Sequence, residues 1–360
     1  MNFRRVKAVA RKELTHVLRD PRSLATGIAI PMVLIILFGY ALTLDVDDVP
    51  FAVWDRSGTP RSRELVAAMD ASQYLRLERT AHSYRELELA IERGDVLAAI
   101  VIPHDVNRGA ALQLILDGSD ANTASIAAGY IENVVQRFGC PQCQPNVDLR
   151  PRVWFNPDMV SRNYIVPGLL AVIMNVIAAL LTSLTVAREW ETGTMEQLIS
   201  TPLRVPELIV GKLVPYWLIG MVDVVLAFLV GRLLFDVPFR GNLWLLFGTT
   251  AVFLIGVLTF GVLISVVTKS QLLANQLAVL GTYLPAFLLS GFMYSIENMP
   301  RPLQLITYIL PARYYVTLLK GLFLKGTGLE VLWIEIVFLV AYTALVMLVA
   351  NVKLKKKLEA

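Results

Sequence analysis

The sequence predicts an all-α polytopic membrane protein with six transmembrane helices and two re-entrant helices, plus an inserted extracytoplasmic α/β domain. Three observations support this prediction. Of the 360 residues, 56% are hydrophobic and 17% are charged, whereas soluble globular domains have roughly 45–50% and about 25%. Six long apolar runs alternate with polar segments. Residues 45–163 alone have the charge content and turn-forming residues of a water-soluble domain.

The apolar runs reach the length of about 18 residues or more that crosses a bilayer. The first run follows a basic segment, but its 21 residues exceed the roughly 7–15 of a signal peptide, and we expect it to stay as an anchor. Four runs are free of charged residues, while the third contains Asp223 and Arg232 and the sixth contains Glu335. The predicted spans are 24–44, 164–187, 214–234, 243–267, 272–294 and 331–352.

The distribution of Lys and Arg predicts the orientation. Fifteen of them lie in residues 1–23, in the tail 353–360 and in the loops 188–213 and 268–271, against five in the opposite loops. Short loops rich in Lys and Arg stay on the cytoplasmic side. Both termini are therefore expected in the cytoplasm, with residues 45–163 outside. The net charge of +4 follows from this topology and gives no reason to expect a nucleic-acid partner.

Residues 1–23 are expected to form a cytoplasmic amphipathic helix at the membrane interface. Apolar side chains recur at helical spacing opposite a face of Arg and Lys, which is typical of a helix that lies on anionic lipid. A plain cytoplasmic extension of the first span is the alternative. The expected apolar positions are Phe3, Val6, Ala10, Leu14 and Val17.

Strand and helix patterns alternate within residues 45–163, which predicts a small α/β domain. Its two cysteines, Cys140 and Cys143, are the only ones in the chain. A local disulfide is expected for them in an oxidising compartment. A redox pair fits less well, because it would need the C-x-x-C at the start of a helix and here it follows one. A zinc site would also need His82 and His104, whose spacing matches no familiar pattern. Strands are expected at 49–55, 74–80, 96–103 and 111–118, and helices at 62–70, 84–95 and 120–138.

After the fifth span, residues 295–330 contain prolines and basic residues among apolar ones. As a seventh span this segment would bury Arg313 and Lys320 and place the basic tail outside. We expect instead two short re-entrant helices, near 302–309 and 312–324, because each is too short to cross a core of about 30 Å. The segments 164–352 and 353–360 are thus a five-helix membrane region and a basic cytoplasmic tail.

The stretch "REWETGTMEQLISTP" (188–202) places three glutamates between two apolar runs. Catalysis is disfavoured because no His, Asp or Cys lies nearby and no H-E-x-x-H motif is present. A solvated loop and a docking segment both remain open on residue type. Thr194 and Gln197 fit a capping box that would start a helix at Met195, and Pro202 would end it near Ser200.

Met195, Leu198 and Ile199 would share one side of that short helix. So short an amphipathic helix is marginal in water, so it needs a surface to lie on. The next helix is expected to begin at Pro206.

Three stretches resemble the permeases of ABC type-2 transporters, in the order found there: "RVWFNPDMVSRNYIVPGLLAVIM", "REWETGTMEQLISTPLRVPELIVGKLVPY" and "LLSGFMYSIENMPRPLQLITYILPARYYV". The resemblance covers essentially the whole chain, and the large domain after the first span points to the drug-exporter-like bacterial branch. One departure is Trp190, where the family commonly has a charged residue. The resemblance implies a bacterial inner-membrane location.

The resemblance also implies the function. The chain would be the permease subunit of an ATP-binding-cassette exporter for a drug-like or lipophilic substrate, and it would work as a homodimer or with a sibling permease. It would itself be no enzyme and hold no cofactor or metal: ATP and Mg²⁺ would sit on a separate ATPase, and no G-x-x-x-x-G-K-[ST] motif is present. Membrane lipid and a periplasmic adaptor are the other expected partners. The residues implied in ATPase coupling are Glu189, Gly193, Thr194, Met195, Glu196, Leu198 and Pro202, and those in the re-entrant region are Glu297, Asn298, Met299, Pro300 and Pro311.

Two polar residues inside the spans are candidates for the translocation path or a dimer seam. Asp223 lies near the middle of the third span, where a carboxylate is costly unless it faces protein or water, and Asn175 could bridge helices. A structural hydrogen bond is the alternative for Asp223. A membrane sensor with a ligand-binding outer domain is the alternative function, and a thiol oxidoreductase is a third.

Overall fold

The structure is a computed structural model that describes residues 2–41, 49–105, 111–118, 121–139 and 160–358. It divides into two compact units. One, the helical unit, comprises Met1–Thr43 and Val153–Ala360. The other, the α/β unit, comprises Leu44–Arg152.

The helical unit begins with helix α1 (Phe3–Arg19), as the sequence pattern predicts. The Asn2 side chain caps it by accepting the N–H of Arg4 at 3.1 Å. The buried face agrees with the predicted apolar positions at Val6 and Val17 but also includes Val9 and the charged Glu13, whereas Phe3 is 78% exposed. The reason is that α1 packs on another helix of the protein, so its inner face is set by that contact.

The first apolar stretch is one continuous helical segment built from α2 (Pro21–Leu24), a π-helical turn (Ala25–Ala29) and α3 (Ile30–Ala41). Pro31 has no N–H for an α-helical bond to the preceding turn, and the N–H of Ile30 reaches back to the carbonyl of Ala25 in π geometry. Its apolar part, Ala25–Ala41, is 17 residues long, and the predicted end at residue 44 lies outside the described residues.

The α/β unit has strands and helices at the predicted places, within a few residues. Its four-stranded sheet has the order β2-β1-β3-β4, with β1 parallel to β2 and β3, and β4 antiparallel to β3. The elements are β1 (Val49–Asp55), α4 (Pro60–Asp70), β2 (Leu75–Thr80), α5 (Tyr84–Glu92), β3 (Ala98–Ile102), β4 (Gln113–Leu116) and α6 (Ala121–Gly139).

Alternate residues of the central strands face opposite sides of this sheet. Phe51 and Ile100 are buried on one side with Met69 of α4, and α6 covers the same side. Ala52 and Leu87 of α5 belong to the buried cluster on the other side. Helices thus cover both faces of the parallel part of the sheet, as such sheets require.

The remaining helices complete the helical unit, and five of them are long and apolar enough to cross a membrane: α7, α9, α10, α11 and α14. This is the pattern expected of a polytopic membrane protein, and the count of six spans stays a prediction. The elements are α7 (Ser161–Glu191), α8 (Thr194–Ile199), α9 (Val205–Leu233), α10 (Leu243–Thr268), α11 (Gln271–Leu289), a 3₁₀ turn (Ile296–Asn298), α12 (Arg301–Thr307), α13 (Pro311–Lys320), a π-helical turn (Gly321–Lys325) and α14 (Leu329–Leu358).

Helix α7 forms the centre of this unit and is buried on nearly all sides. It lies unusually close to α10 because Gly261 has no side chain: a Cβ there would stand 2.2 Å from Thr182 Oγ1 and 2.5 Å from the carbonyl oxygen of Ala179. Thr182 Oγ1 donates to the carbonyl of Leu258 at 2.8 Å. Helix α14, in contrast, exposes many apolar side chains, including Val331, Trp333, Ile334, Val337, Leu345 and Leu348.

Two short helices, α12 and α13, occupy the segment 295–330, close to their predicted positions. Pro300 precedes α12, and Pro311 opens α13. Whether these helices are re-entrant depends on the position of the bilayer, so that part stays a prediction.

Candidate functional site

Helix α8 lies between the long helices α7 and α9, within the stretch 188–202 that the sequence singled out. The predicted capping box is wrong: Thr194 is the first residue of α8, and the residue before it, Gly193, has the left-handed φ of 71°. Because α7 continues to Glu191, only Thr192 and Gly193 remain to reverse the chain, and glycine adopts this conformation without a steric penalty. The Thr194 hydroxyl lies 3.0 Å from that of Thr192.

One side of α8 is anchored and the other is free. Met195 is fully buried, and Leu198 is partly buried against the same core. Glu196 and Gln197 are exposed, as are Gly193 and Thr194. The helix ends at Ile199, followed by Ser200, as predicted. Burial of Met195 therefore holds α8 in place, with Glu196 and Gln197 forming an exposed ridge that carries one acidic group.

Pro202, in the loop after α8, is also exposed. Its carbonyl accepts a hydrogen bond from the Arg5 guanidinium of α1. The following helix, α9, starts at Val205, one residue before the predicted start at Pro206.

Beneath α8 lies a buried charge cluster, which we define as Lys12, Glu13, Glu189 and Lys212. The Lys212 Nζ lies 3.0 Å from Glu13 Oε1 and 2.8 Å from Glu189 Oε2. Lys12 Nζ lies 3.0 Å from Glu189 Oε1. The side chains of Lys212, Glu13 and Glu189 are only 2%, 6% and 8% exposed, whereas that of Lys12 is 55% exposed.

This cluster joins α1, α7 and α9. It places Glu189, which the sequence assigned to the ATPase-coupling set, inside the protein and paired with two lysines. Sequence reasoning missed Lys12, Glu13 and Lys212. A signal was present, because Glu13 lies four residues from both Val9 and Val17, on the face of α1 that the structure buries.

A second set of polar contacts ties the start of α1 to the start of α9. Glu207 Oε1 accepts the backbone N–H of Asn2 at 2.6 Å, and its Oε2 accepts that of Arg204 at 3.2 Å. The same carboxylate lies 3.7 Å from Arg5 Nη1. Helix α1 is therefore fixed to α9 at two levels and is part of the packed helical unit.

The end of α7 also contacts the connection between α10 and α11. Glu191 Oε1 accepts the backbone N–H of Gln271 at 2.8 Å. Lys269 Nζ lies 4.2 Å from the centre of the Trp190 ring, a cation–π distance. The tryptophan that departs from the family pattern therefore has a partner within the chain.

A cavity of about 560 Å³ opens beside the cluster. Its lining includes His16 of α1, Arg188 of α7 and Asn275 of α11. His16 Nε2 lies 2.8 Å from Arg188 Nη1. Among the described residues no group of three or more His, Cys, Asp or Glu side chains could hold a metal ion, and that search includes His82 and His104. The two cysteines lie outside the described residues.

Asp223 and Asn175 are both buried, at 1% and 5% exposure. Asn175 Nδ2 donates to the carbonyl of Thr282 on α11 at 3.3 Å, so it bridges two helices. Asp223 Oδ1 has no hydrogen-bond partner among the described residues. Asp223 does not line the cavity beside the charge cluster.

The other end of α7 meets α12 and α13. Glu297 and Asn298, in the 3₁₀ turn, are exposed. The carbonyl of Met299 accepts Gln304 Nε2 at 2.8 Å. Tyr164, near the start of α7, donates to the carbonyl of Phe292 at 3.1 Å. Tyr164, Glu297 and Gln304 border a second cavity, of about 440 Å³.

Comparison with known proteins gives a consistent result over the length of the chain. The family described as "ABC-2 family transporter protein" matches residues 21–352. The chain is 36% identical over 373 residues to "Probable multidrug ABC transporter permease YbhS" of Escherichia coli (strain K12), covering 100% of this chain and 99% of that protein. It is 32% identical to "Probable multidrug ABC transporter permease YbhR" of the same organism, covering 95% of this chain and 96% of that protein.

A more distant relative is "Inner membrane transport permease YhhJ" of the same strain, which is 25% identical over 327 residues and covers 85% of each chain. The matches thus run through both the helical and the α/β units.

Proposed function

Because the chain belongs to the ABC-2 family of transporter proteins, we propose that it is the membrane-spanning permease subunit of an exporter driven by a separate ATPase subunit. The observation that carries the proposal is α8. This short helix follows one long apolar helix, precedes another, buries Met195 and exposes Glu196 and Gln197. A partner that binds the exposed ridge would act on the ends of α7 and α9 together.

The proposed topology places α8 in the cytoplasm of a bacterium, with both chain termini on the same side and residues 45–163 in the periplasm. Six spans cross the inner membrane, the first formed by the helical segment around Ala25–Ala41, and α12 and α13 are re-entrant from the outer side. The excess of Lys and Arg at the α8 side supports this orientation.

In the proposed mechanism the ATPase holds ATP and Mg²⁺, and its closure displaces α8. Met195 transmits this displacement to the core, and the charge cluster makes α1, α7 and α9 respond as one body. The support for this step is that Lys212 contacts Glu13 of α1 and Glu189 of α7 from its own position on α9. Within this scheme Glu189 acts as a positioning residue beneath the docking surface.

The substrate is proposed to be drug-like or lipophilic, because two relatives are named as multidrug permeases. The path would lie at the seam with a second copy of the chain or with a sibling permease, where Asp223 remains a candidate. Lipid would cover the exposed apolar faces, and a periplasmic adaptor could dock on the α/β unit. The membrane-sensor and thiol-oxidoreductase alternatives are set aside, because the family and these relatives are transport proteins.

A charge reversal on α8 tests the proposal. Glu196→Arg should weaken co-purification of the ATPase subunit in mild detergent and should abolish export of a fluorescent drug from cells. The matched control is Glu330→Arg, which makes the same charge change on an exposed first-turn glutamate of α14. Both variants should reach the membrane in equal amounts.

Full ATPase co-purification and full export by the Glu196→Arg variant would refute α8 as the docking element. Retained co-purification with lost export would still support it as the coupling element. If neither the parent chain nor the control retains an ATPase subunit, the proposal of an ATPase-driven exporter fails.

A further inference from the structure

The cavity of about 440 Å³ at the α13 end of α7 is lined mainly by polar residues, two of them basic. It lies between the start of α7, the loop that follows α11, and the helices α12 and α13. Polar side chains from all of these elements face it, and the most basic wall is α13. Its chemically distinctive lining residues are Tyr164, Glu297, Gln304, Tyr308, Arg313 and Lys320.

Arg313 and Lys320 are seven residues apart on α13 and therefore share one face of the helix, about 10 Å apart along its axis. The Arg313 guanidinium donates to Thr307 Oγ1 and lies 4.0 Å from the centre of the Tyr308 ring. Lys320 Nζ donates to the carbonyl of Gly291 at 2.8 Å and lies 3.5 Å from the centre of the Tyr164 ring.

These two basic side chains are half-buried and have only neutral partners. In the described part of the chain, neither has a carboxylate within 4.0 Å. Glu297 is the one acidic residue among the described residues that line the cavity. The cavity therefore has two basic side chains and one acidic side chain in its lining, which favours a ligand with an anionic group.

Several exposed apolar side chains lie close in sequence to the residues that line this cavity. Leu305 and Ile309 are 68% and 71% exposed, and Ile306 and Tyr294 are about half exposed. An apolar patch that adjoins a polar cavity fits a ligand with an apolar and a charged part. A free inorganic anion would use only the cavity.

We propose that this cavity binds the phosphodiester of a membrane phospholipid, whose acyl chains lie along the apolar side chains of α12. A phosphodiester is an anionic group with several acceptor oxygens, which the donors Arg313 and Lys320 in the lining of the cavity can bind. The planar guanidinium of Arg313 can donate two parallel hydrogen bonds to phosphate oxygens. Lys320 supplies a further donor from the same face of α13. The proposal does not depend on the coupling to an ATPase.

Native mass spectrometry of the purified full-length chain tests this site. The probes are a short-chain phosphatidylglycerol, the diacylglycerol with the same acyl chains, and inorganic phosphate. One phosphatidylglycerol should bind per cavity, and both other probes should bind at least about tenfold more weakly. The double variant Arg313→Gln/Lys320→Gln should lose about tenfold or more in affinity, since one charged hydrogen bond contributes roughly 1.5–3 kcal/mol.

The matched control is Arg301→Gln, which removes the same charge from an exposed position of α12 outside the cavity, and it should bind as the parent does. Arg313→Lys keeps the charge but not the planar donor pair, so its affinity for phosphatidylglycerol should lie between those of the parent and the double variant. This milder variant still tests the site if the double variant unfolds. If the parent, the Arg313→Lys variant and the double variant all bound phosphatidylglycerol with equal affinity, the site would be overturned. Equal binding of inorganic phosphate, or of diacylglycerol, would overturn the phospholipid as ligand.

Discussion

The two ends of α7 treat charge in opposite ways. Tyr164 and Glu189 lie 25 residues apart, about 37 Å along the helix. At the α8 end, the buried side chains of Glu13, Glu189 and Lys212 are paired with one another, and the more exposed Lys12 pairs with Glu189. At the α13 end, the hydrogen-bond and ring partners of Arg313 and Lys320 among the described residues are aromatic rings, a hydroxyl and a carbonyl. A self-compensated cluster stabilises an arrangement of helices, whereas uncompensated basic groups leave an interaction for a ligand.

The difference matters because a buried charge is costly unless it is paired. At the α8 end the pairing is internal, so a rearrangement of α1, α7 or α9 would have to break ion pairs. This explains how a short helix that is held by one buried methionine could act on three helices at once. In the proposals above, movement belongs to the α8 end of α7 and ligand binding to the α13 end.

We expect the largest effect on stability when Lys212, the central lysine of the charge cluster, is replaced. Lys212→Met leaves the carboxylates of Glu13 and Glu189 buried without their shared cation, which should cost about 3–5 kcal/mol of stability. Thermal unfolding in detergent should show it as a strongly lowered Tm. Lys12→Met is the control: Lys12 contacts Glu189 too but is 55% exposed, so about 0–1 kcal/mol is expected.

A second variant separates burial of charge from loss of packing. Glu13→Gln/Glu189→Gln/Lys212→Met removes all three buried charges together and should recover most of the stability lost in Lys212→Met. Equal losses of stability in the Lys212→Met and Lys12→Met variants would contradict the view of the cluster as a buried, internally paired set of charges. The two lysines would then be equally solvated.

A smaller effect is expected between the two ends, where α7 and α10 touch. Gly261→Ala introduces a Cβ that would stand 2.5 Å from the carbonyl of Ala179, and such overpacking costs about 1–3 kcal/mol. Gly248→Ala, on the same helix, meets nothing within 4 Å, and it should be neutral or stabilising by up to about 1 kcal/mol. Unfolding temperatures of the two variants measure the difference. Equal values would mean that the α7–α10 contact is loose and cannot carry motion between the ends.

Much of this arrangement was predictable from local sequence signals. Apolar runs predicted the long helices, and alternation with turn residues predicted every strand of the α/β unit that the structure describes. The end of α8 was predicted from Pro202. Its start was not predicted, because Gly193 in its left-handed conformation precedes the helix, and Thr194 is its first residue and not its cap. Local patterns do not report how far the preceding helix runs.

The charge cluster could not be assembled from the sequence in the same way. Lys212 lies about 200 residues from Glu13, and no local pattern pairs positions so far apart. Glu189 was singled out for its place in a motif, which carries no information on burial. The basic face of α13 was visible as Arg313 and Lys320, yet the absence of an acidic partner within 4.0 Å of them is a property of the described fold alone.

The smallest predicted effect concerns a third way to compensate charge, in the α/β unit. Asp55, at the end of β1, accepts hydrogen bonds from the N–H groups of Ser57 and Gly58 at 2.9 and 3.1 Å and from the Ser62 hydroxyl at 2.5 Å. Burial raises the pKa of this carboxyl, but the hydrogen bonds from Ser62, Gly58 and Ser57 outweigh it and hold the pKa below its usual range. The groups that compensate this carboxylate are neutral hydrogen-bond donors of the same unit.

A lowered pKa in the folded state means that Asp55 stabilises the fold above its unfolded pKa of about 3.9. This contribution is lost as the pH falls through the lower, folded pKa. Hydrogen exchange of the Ser57 and Gly58 amides in the full chain should therefore show constant protection from neutral pH to about pH 4 and a loss below it. Asp55→Asn should weaken protection at neutral pH and remove the acid-dependent loss, whereas Asp105→Asn, at an exposed site, should change neither. Identical acid profiles for Asp55→Asn and the parent would show that these hydrogen bonds do not compensate the charge of Asp55. The α/β unit would then offer no third way of compensating a charge.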